Sequence, residues 1–162
     1  GVNDGDPWIS QLEAFVATLA QSDKKLVGIC FGHQIIAQAL GGKVEKFNGG
    51  WAVGRTTYDW QGKEISLNAW HQDQVVELPE SAEIVGSNAH CKAAMLAYGD
   101  TIWTVQPHPE FSNEFIRGLI EQRGRGVVPD ALLDDATTKL NTPVDNPEIA
   151  TYLVEFFKKE RT

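Results

Sequence analysis

An α/β fold is predicted, with an open, mostly parallel sheet covered by helices on both faces. Three observations carry the prediction. Helix-like and strand-like segments alternate along most of the 162 residues. A short apolar run from Lys24 breaks at Gly28-Ile29-Cys30-Phe31-Gly32 and leads into a helical segment, the order strand, tight turn, helix. Two later runs, Ala93 to Tyr98 and Ile102 to Val105, read as strands joined by a turn at Gly99-Asp100.

Taken in order, Pro7 to Gln21 reads as a packing helix. Asp6 stands at the N-cap, Pro7 at the first helical position, and Ile9, Leu12, Phe15, Val16 and Leu19 fall on one stripe. Lys24 to Ile29 is the first strand, and Gln34 to Leu40 is a helix closed by Gly41-Gly42. From Lys43 to Ser87 short β-like runs follow, including Ala52 to Tyr58 and Glu64 to Leu67 around a hairpin turn at Gln61-Gly62. Ser112 can cap a helix running to about Gln122. A connection from Gly124 to Pro129 leads to two more helical segments, the last starting at Pro147 with Ile149, Leu153, Phe156 and Phe157 on its inner face. No internal repeat interrupts this order, so residues 1–162 are read as a single domain. Gly-Val-Asn-Asp-Gly-Asp ahead of the first helix leaves no room for an opening strand, so the domain is expected to be N-terminally incomplete.

Composition narrows the partners. A net charge of -8 and a pI near 4.9 disfavour nucleic acid and anionic membrane surfaces, which would repel the chain at long range. A small molecule or a protein is the expected partner. Cys30 and Cys91 form no CxxC pair and no disulfide framework, so a reducing cytoplasmic setting is expected and no metal site is. The chain carries neither a signal-peptide pattern at its start nor a long apolar run.

Gly28 to Gly32 has the form GxCxG, the cysteine counterpart of the turn that lifts a nucleophile onto a strand-to-helix corner. A side chain at either glycine is expected to clash, and the corner sets the sulfur at a helix N-terminus, where the dipole favours negative charge. A cysteine between glycines can also be plain packing, so a second motif must decide. Gln106-Pro107-His108-Pro109-Glu110 follows a predicted strand, which puts His108 and Glu110 on the sheet rim that carries the elbow. His108 can then act as base toward Cys30, with Glu110 orienting the imidazole. Alone, His108 could be a turn histidine and Glu110 an acid leading the next helix; together the two motifs are far more specific. Cys91, beside His90 and without an elbow, reads as a structural thiol, and His33 also reads as structural.

In the order GICFGHQIIAQALGG, GGWAVG, WHQDQV and QPHPEF, the sequence resembles the class I glutamine amidotransferase family from Asp6 to about Glu121. The resemblance implies a flavodoxin-like fold and a Cys30-His108-Glu110 triad, with the Phe31 N–H as one oxyanion donor. It also implies that Gln34 and the His71-Gln72-Asp73 loop hold the substrate, with Asn48 to Trp51 close to the pocket. Trp51 and Trp70 flank motif segments and are candidates for its mouth. Gln72 stands where the family usually has glycine, as in members similar to the amidotransferase half of guanylate synthesis. The family's other oxyanion donor belongs to an N-terminal loop that precedes the first residue here.

The implied chemistry is hydrolysis of the glutamine side-chain amide through a thioester, without a cofactor. No P-loop and no GxGxxG is present to use the ammonia, so the resemblance implies an acceptor or a synthetase partner elsewhere. A stand-alone hydrolase of γ-glutamyl peptides is the alternative. A second alternative is an interaction domain that keeps the motifs but is catalytically weak through truncation.

Overall fold

The computed structural model describes residues 1–159. Helix α1 (Pro7–Ala20) precedes strand β1 (Leu26–Ile29), and helix α2 (Phe31–Ala39) begins directly at the elbow. Strand β2 (Lys43–Lys46), the hairpin β3 (Ala52–Trp60) and β4 (Lys63–His71), and strands β5 (Asp73–Glu77), β6 (Glu83–Ser87), β7 (Met95–Tyr98) and β8 (Ile102–Val105) follow. The chain ends in helices α3 (Asn113–Leu119) with a π-helical turn Ile120–Gly124, α4 (Asp130–Thr138) and α5 (Asn146–Lys158). None of the described helices is long and apolar enough to cross a membrane.

Six strands form one sheet in the order β1-β8-β7-β6-β3-β4, and β2 pairs with β5 in a second, two-stranded sheet. The α/β class holds, and the sheet is mixed. Only β1 and β8 run parallel among these strands, in the register Ile29↔Val105; short turns join β3 to β4 and β7 to β8 and force antiparallel pairing there, and β6 pairs antiparallel with both β7 and β3. The β3–β4 turn is where the dipeptide predicts it: Gln61 and Gly62 both have positive φ, at 53° and 84°.

Alternation along β7 and β8 divides the core between the two faces. Leu96, Tyr98 and Ile102 pack with Ile9 and Val16 of α1 and with Ile35 and Ile36 of α2. Met95, Trp103 and Val105 point the other way, toward Ile149, Tyr152, Leu153 and Phe156 of α5. Each fully buried aliphatic side chain contributes roughly 1.5–3 kcal/mol. A third cluster joins Ile116, Ile120, Val128, Leu133 and Ala136 to Val53 and Trp70 at the far end of the sheet.

Two expected core positions are not core. Phe15 is 59% exposed and Phe157 is 54% exposed, since each lies at the margin of its stripe. In α5 Tyr152 takes the place expected of Phe157, packing edge-on against Trp60 at 5.0 Å. Asp6 occupies the N-cap of α1 without a side-chain capping bond, whereas the Ser112 hydroxyl accepts from the Phe115 N–H at 3.1 Å and caps α3.

Candidate active site

The parallel pairing of β1 with β8 places Cys30 next to the carboxyl end of β8, and the Cys30 N–H donates to the Val105 carbonyl at 2.9 Å. Cys30 has φ 48° and ψ -99°, a backbone conformation that costs about 1–3 kcal/mol for a residue with a side chain. The tightness of the elbow lies at Gly28: a Cβ there would sit 2.6 Å from the backbone of Gly32 and 2.7 Å from Ile36 Cδ1. The expected clash at the other flank is absent, because a Cβ on Gly32 would meet nothing within 4 Å. Gly32 contributes the close backbone, and its own Cβ direction is open.

His108 leaves the sheet just after β8, and its N–H donates to the Asn68 carbonyl of β4 at 2.8 Å. The Asn68 side chain donates to the Phe111 carbonyl and to Asn113 Oδ1, both at 3.0 Å, and Asn146 donates to the Phe111 carbonyl at 2.9 Å. These bonds strap the segment between the two prolines in place. His108 Nδ1 meets Glu110 Oε1 at 2.6 Å, which leaves Nε2 as the ring nitrogen free for Cys30, whose interaction helps raise the imidazole pKa. The Phe111 ring lies flat on the imidazole, 3.8 Å between centroids and 3° from parallel, a geometry that favours the cationic ring.

Burial acts to lower the His108 pKa, but hydrogen bonds and charge from Cys30 and Glu110 outweigh it and raise the value from 6.5 to about 9. The imidazole therefore keeps a proton at neutral pH.

A cleft of about 450 Å³ opens beside the sulfur, lined by Cys30, Phe31, Gln34, His71, Gln72 and Asp73. Trp51, Trp70 and Lys46 complete its walls, whereas Asn48 to Gly50 do not line it. Phe31 opens α2, where first-turn N–H groups have no partner within the helix. The HQD segment is a corner between strands rather than a free loop: His71 ends β4, Asp73 starts β5, and the Gln72 carbonyl accepts from the Phe47 N–H at 3.0 Å.

His71 is buried, which lowers its pKa to about 4, and its Nδ1 lies 3.2 Å from the Asp73 carbonyl. Gln34 is 4% exposed, with its amide nitrogen 3.0 Å from the Asp73 carbonyl and 3.1 Å from Gln106 Oε1. Gln106, Asn68 and Phe111 belong to the site although the sequence does not single them out. Asn68 carries a signal, being the one amide inside the apolar run Ile65 to Trp70; Gln106 and Phe111 sit within or beside the QPHPE motif.

Cys91 lies apart, 2% exposed, with burial pushing its thiol up to about 12. A brief exposure to iodoacetamide is therefore expected to label Cys30 well before Cys91, and peptide mapping reads the ratio. Equal labelling would remove the reason for treating Cys30 as the activated thiol. Among the described residues no cluster of three or more His, Cys, Asp or Glu is arranged to hold a metal ion.

The chain is similar to several known proteins. A glutamine amidotransferase-like protein of Schizosaccharomyces pombe is 33% identical over 161 residues, covering 93% of this chain and 65% of its own length. Gamma-glutamyl peptidase 5 of Arabidopsis thaliana is 30% identical over 158 residues, 88% of this chain and 61% of its own. The glutamine-hydrolyzing GMP synthase subunit of Sulfolobus acidocaldarius is 39% identical over 94 residues, 52% of this chain and 50% of its own. The chain thus spans between half and two thirds of the length of these relatives. The crystal structure of a glutamine amidotransferase from Methylobacillus flagellatus shares the fold, with a TM-score of 0.79 at 21% identity over 100% of this chain and 74% of that one. The family model of glutamine amidotransferase class-I matches residues 3–118, and the chain belongs to that family.

Proposed function

We propose that this chain hydrolyses the side-chain amide of glutamine through a thioester on Cys30, releasing ammonia to an acceptor or to a synthetase partner. The supporting observation is His108, held between Cys30 and Glu110 and keeping its proton to about pH 9. In the proposed sequence the Cys30 thiolate attacks the γ-carbonyl carbon, and the Phe31 N–H faces the oxyanion. As the C–N bond breaks, His108 Nε2 protonates the departing nitrogen. A water then attacks the thioester while neutral His108 takes its proton, the C–S bond breaks, and glutamate leaves with the thiolate restored. Acyl transfer to water consumes no redox or group-carrying cofactor. A reducing compartment such as the cytoplasm would keep Cys30 competent.

A second reading, hydrolysis of γ-glutamyl peptides, is supported by the size of the cleft. Its volume of about 450 Å³, with Trp51, Trp70 and Lys46 along the walls, leaves room for a leaving group larger than ammonia. The Arabidopsis relative is a gamma-glutamyl peptidase. Glutamate release from glutamine and from a γ-glutamyl dipeptide, measured side by side on the same protein, separates the two. The first reading expects glutamine to be turned over at least as well as the dipeptide. A dipeptide preference of tenfold or more replaces it with the second, and release from neither substrate rejects both.

A further inference from the structure

Behind the nucleophile lies a buried polar chain that the proposed reaction does not use. Gln106 is fully buried directly after β8, and its Nε2 lies 3.6 Å from Cys30 Sγ. Its Oε1 is 3.1 Å from Gln34 Nε2, and that same nitrogen is 3.0 Å from the Asp73 carbonyl on the cleft wall.

The orientation of both amides follows from the last of these contacts. A backbone carbonyl can only accept, so Gln34 must turn its NH2 group toward Asp73. The second hydrogen of that group then reaches Gln106, which must answer with its oxygen. Gln106 is left with its own NH2 facing the sulfur. The reverse orientation would set donor against donor in a buried site, at the cost of unsatisfied hydrogen bonds.

We infer that Gln106 is a positioning residue for the nucleophile, presenting an N–H donor to Cys30 Sγ in an orientation imposed from the substrate cleft through Gln34 by the Asp73 carbonyl. An uncharged donor at the sulfur stabilises thiolate over thiol without competing with His108 for the proton. The chain also ties the HQD corner to the nucleophile through two amides. The inference rests on the proposed role of Cys30 as nucleophile.

Other charged or titratable groups around the sulfur and its cleft are His108 with Glu110 behind it and, along the cleft wall, His71, Asp73 and Lys46. All of these remain when Gln106 is changed. Gln106→Met keeps the unbranched shape and removes the donor, Gln106→Glu keeps the shape and offers an acceptor, and Gln34→Met frees the Gln106 amide to turn without touching the sulfur.

The experiment measures the alkylation rate of Cys30 by iodoacetamide from pH 5 to pH 9, by mass spectrometry, in proteins whose fold is checked by circular dichroism. In Gln106→Met the profile is expected to move to higher pH, with the rate at pH 6 falling about tenfold, as for loss of a hydrogen bond to a charged group. Gln106→Glu should move it further, and Gln34→Met in the same direction by less. A folded Gln106→Met whose profile superimposes on the wild type overturns the inference. If Gln106→Met does not fold, an unmoved Gln34→Met profile does so instead. Wild-type Cys30 reacting no faster than Cys91 would overturn the nucleophile itself, an outcome visible before any variant is made.

Discussion

Replacing Cys30 with alanine is expected to abolish turnover, and His108→Ala nearly so, each with a loss on the order of 10⁴-fold or more. Glu110→Gln should lose less. It leaves Cys30 and His108 in place and removes only the charge and half of the grip on an imidazole that also stacks flat on Phe111 at 3.8 Å and interacts with Cys30. The pH profile gives the finer check. In the proposed reaction turnover needs the proton on His108, so the wild-type rate should fall through about pH 9. Since Glu110 is one of the groups holding that pKa up, the alkaline limb of Glu110→Gln should move to lower pH. Steady-state glutamate release from pH 6 to pH 10 measures both. A Glu110→Gln variant that is folded, as inactive as Cys30→Ala, or unshifted on its alkaline side would mean that Glu110 does not act as an orienting charge.

The second large effect is on stability in mild acid. His33 is fully buried, with Nδ1 2.8 Å from Thr104 Oγ1, and burial together with the nearby His71 lowers its pKa from 6.5 to about 3. His71 is lowered mainly by burial to about 4. Both are neutral in the fold at pH 5, whereas in the unfolded chain both titrate near the ordinary value of about 6.5. The unfolded state therefore binds two more protons in this window, and stability falls as pH falls. The slope approaches ~1.4 kcal/mol per pH unit for each histidine, or about 3–4 kcal/mol for the pair between pH 6.5 and 5. His108 does not offset this. Its raised pKa adds stability that is complete below 6.5 and lost only as pH rises toward 9, so its contribution is flat across the acid window. Urea midpoints at pH 6.5, 5.75 and 5 should fall steeply, and His33→Gln, which cannot titrate, should show a shallower fall. A midpoint that is constant from pH 6.5 to pH 5 would exclude both histidines as the acid-sensitive groups.

Local features were legible because their causes lie within a few residues. The hairpin turn at Gln61-Gly62, the Ser112 cap and the strand-to-helix corner at Cys30 each depend on neighbours inside one turn of chain, and each stands where the sequence predicts it. The helix after the elbow is the exception at its start. It begins at Phe31 rather than Gln34, since the corner leads straight into helical backbone. Exposure at Phe15 and Phe157 could not be read from periodicity, which fixes a stripe but not how wide a neighbour covers it.

The residue types suited to the proposed chemistry, GICFGHQ and QPHPE, and the order of elements that carries them are legible in the primary structure. The folded chain was needed to see that Ile29 lies beside Val105 in parallel register, that Asn68 on β4 straps His108, and that Gln34 and Gln106 meet behind the sulfur. The physical reason is register. Side chains on a strand alternate faces, so a slip of one residue between β1 and β8 would turn Gln106 away from Cys30 and leave both motifs intact in the sequence.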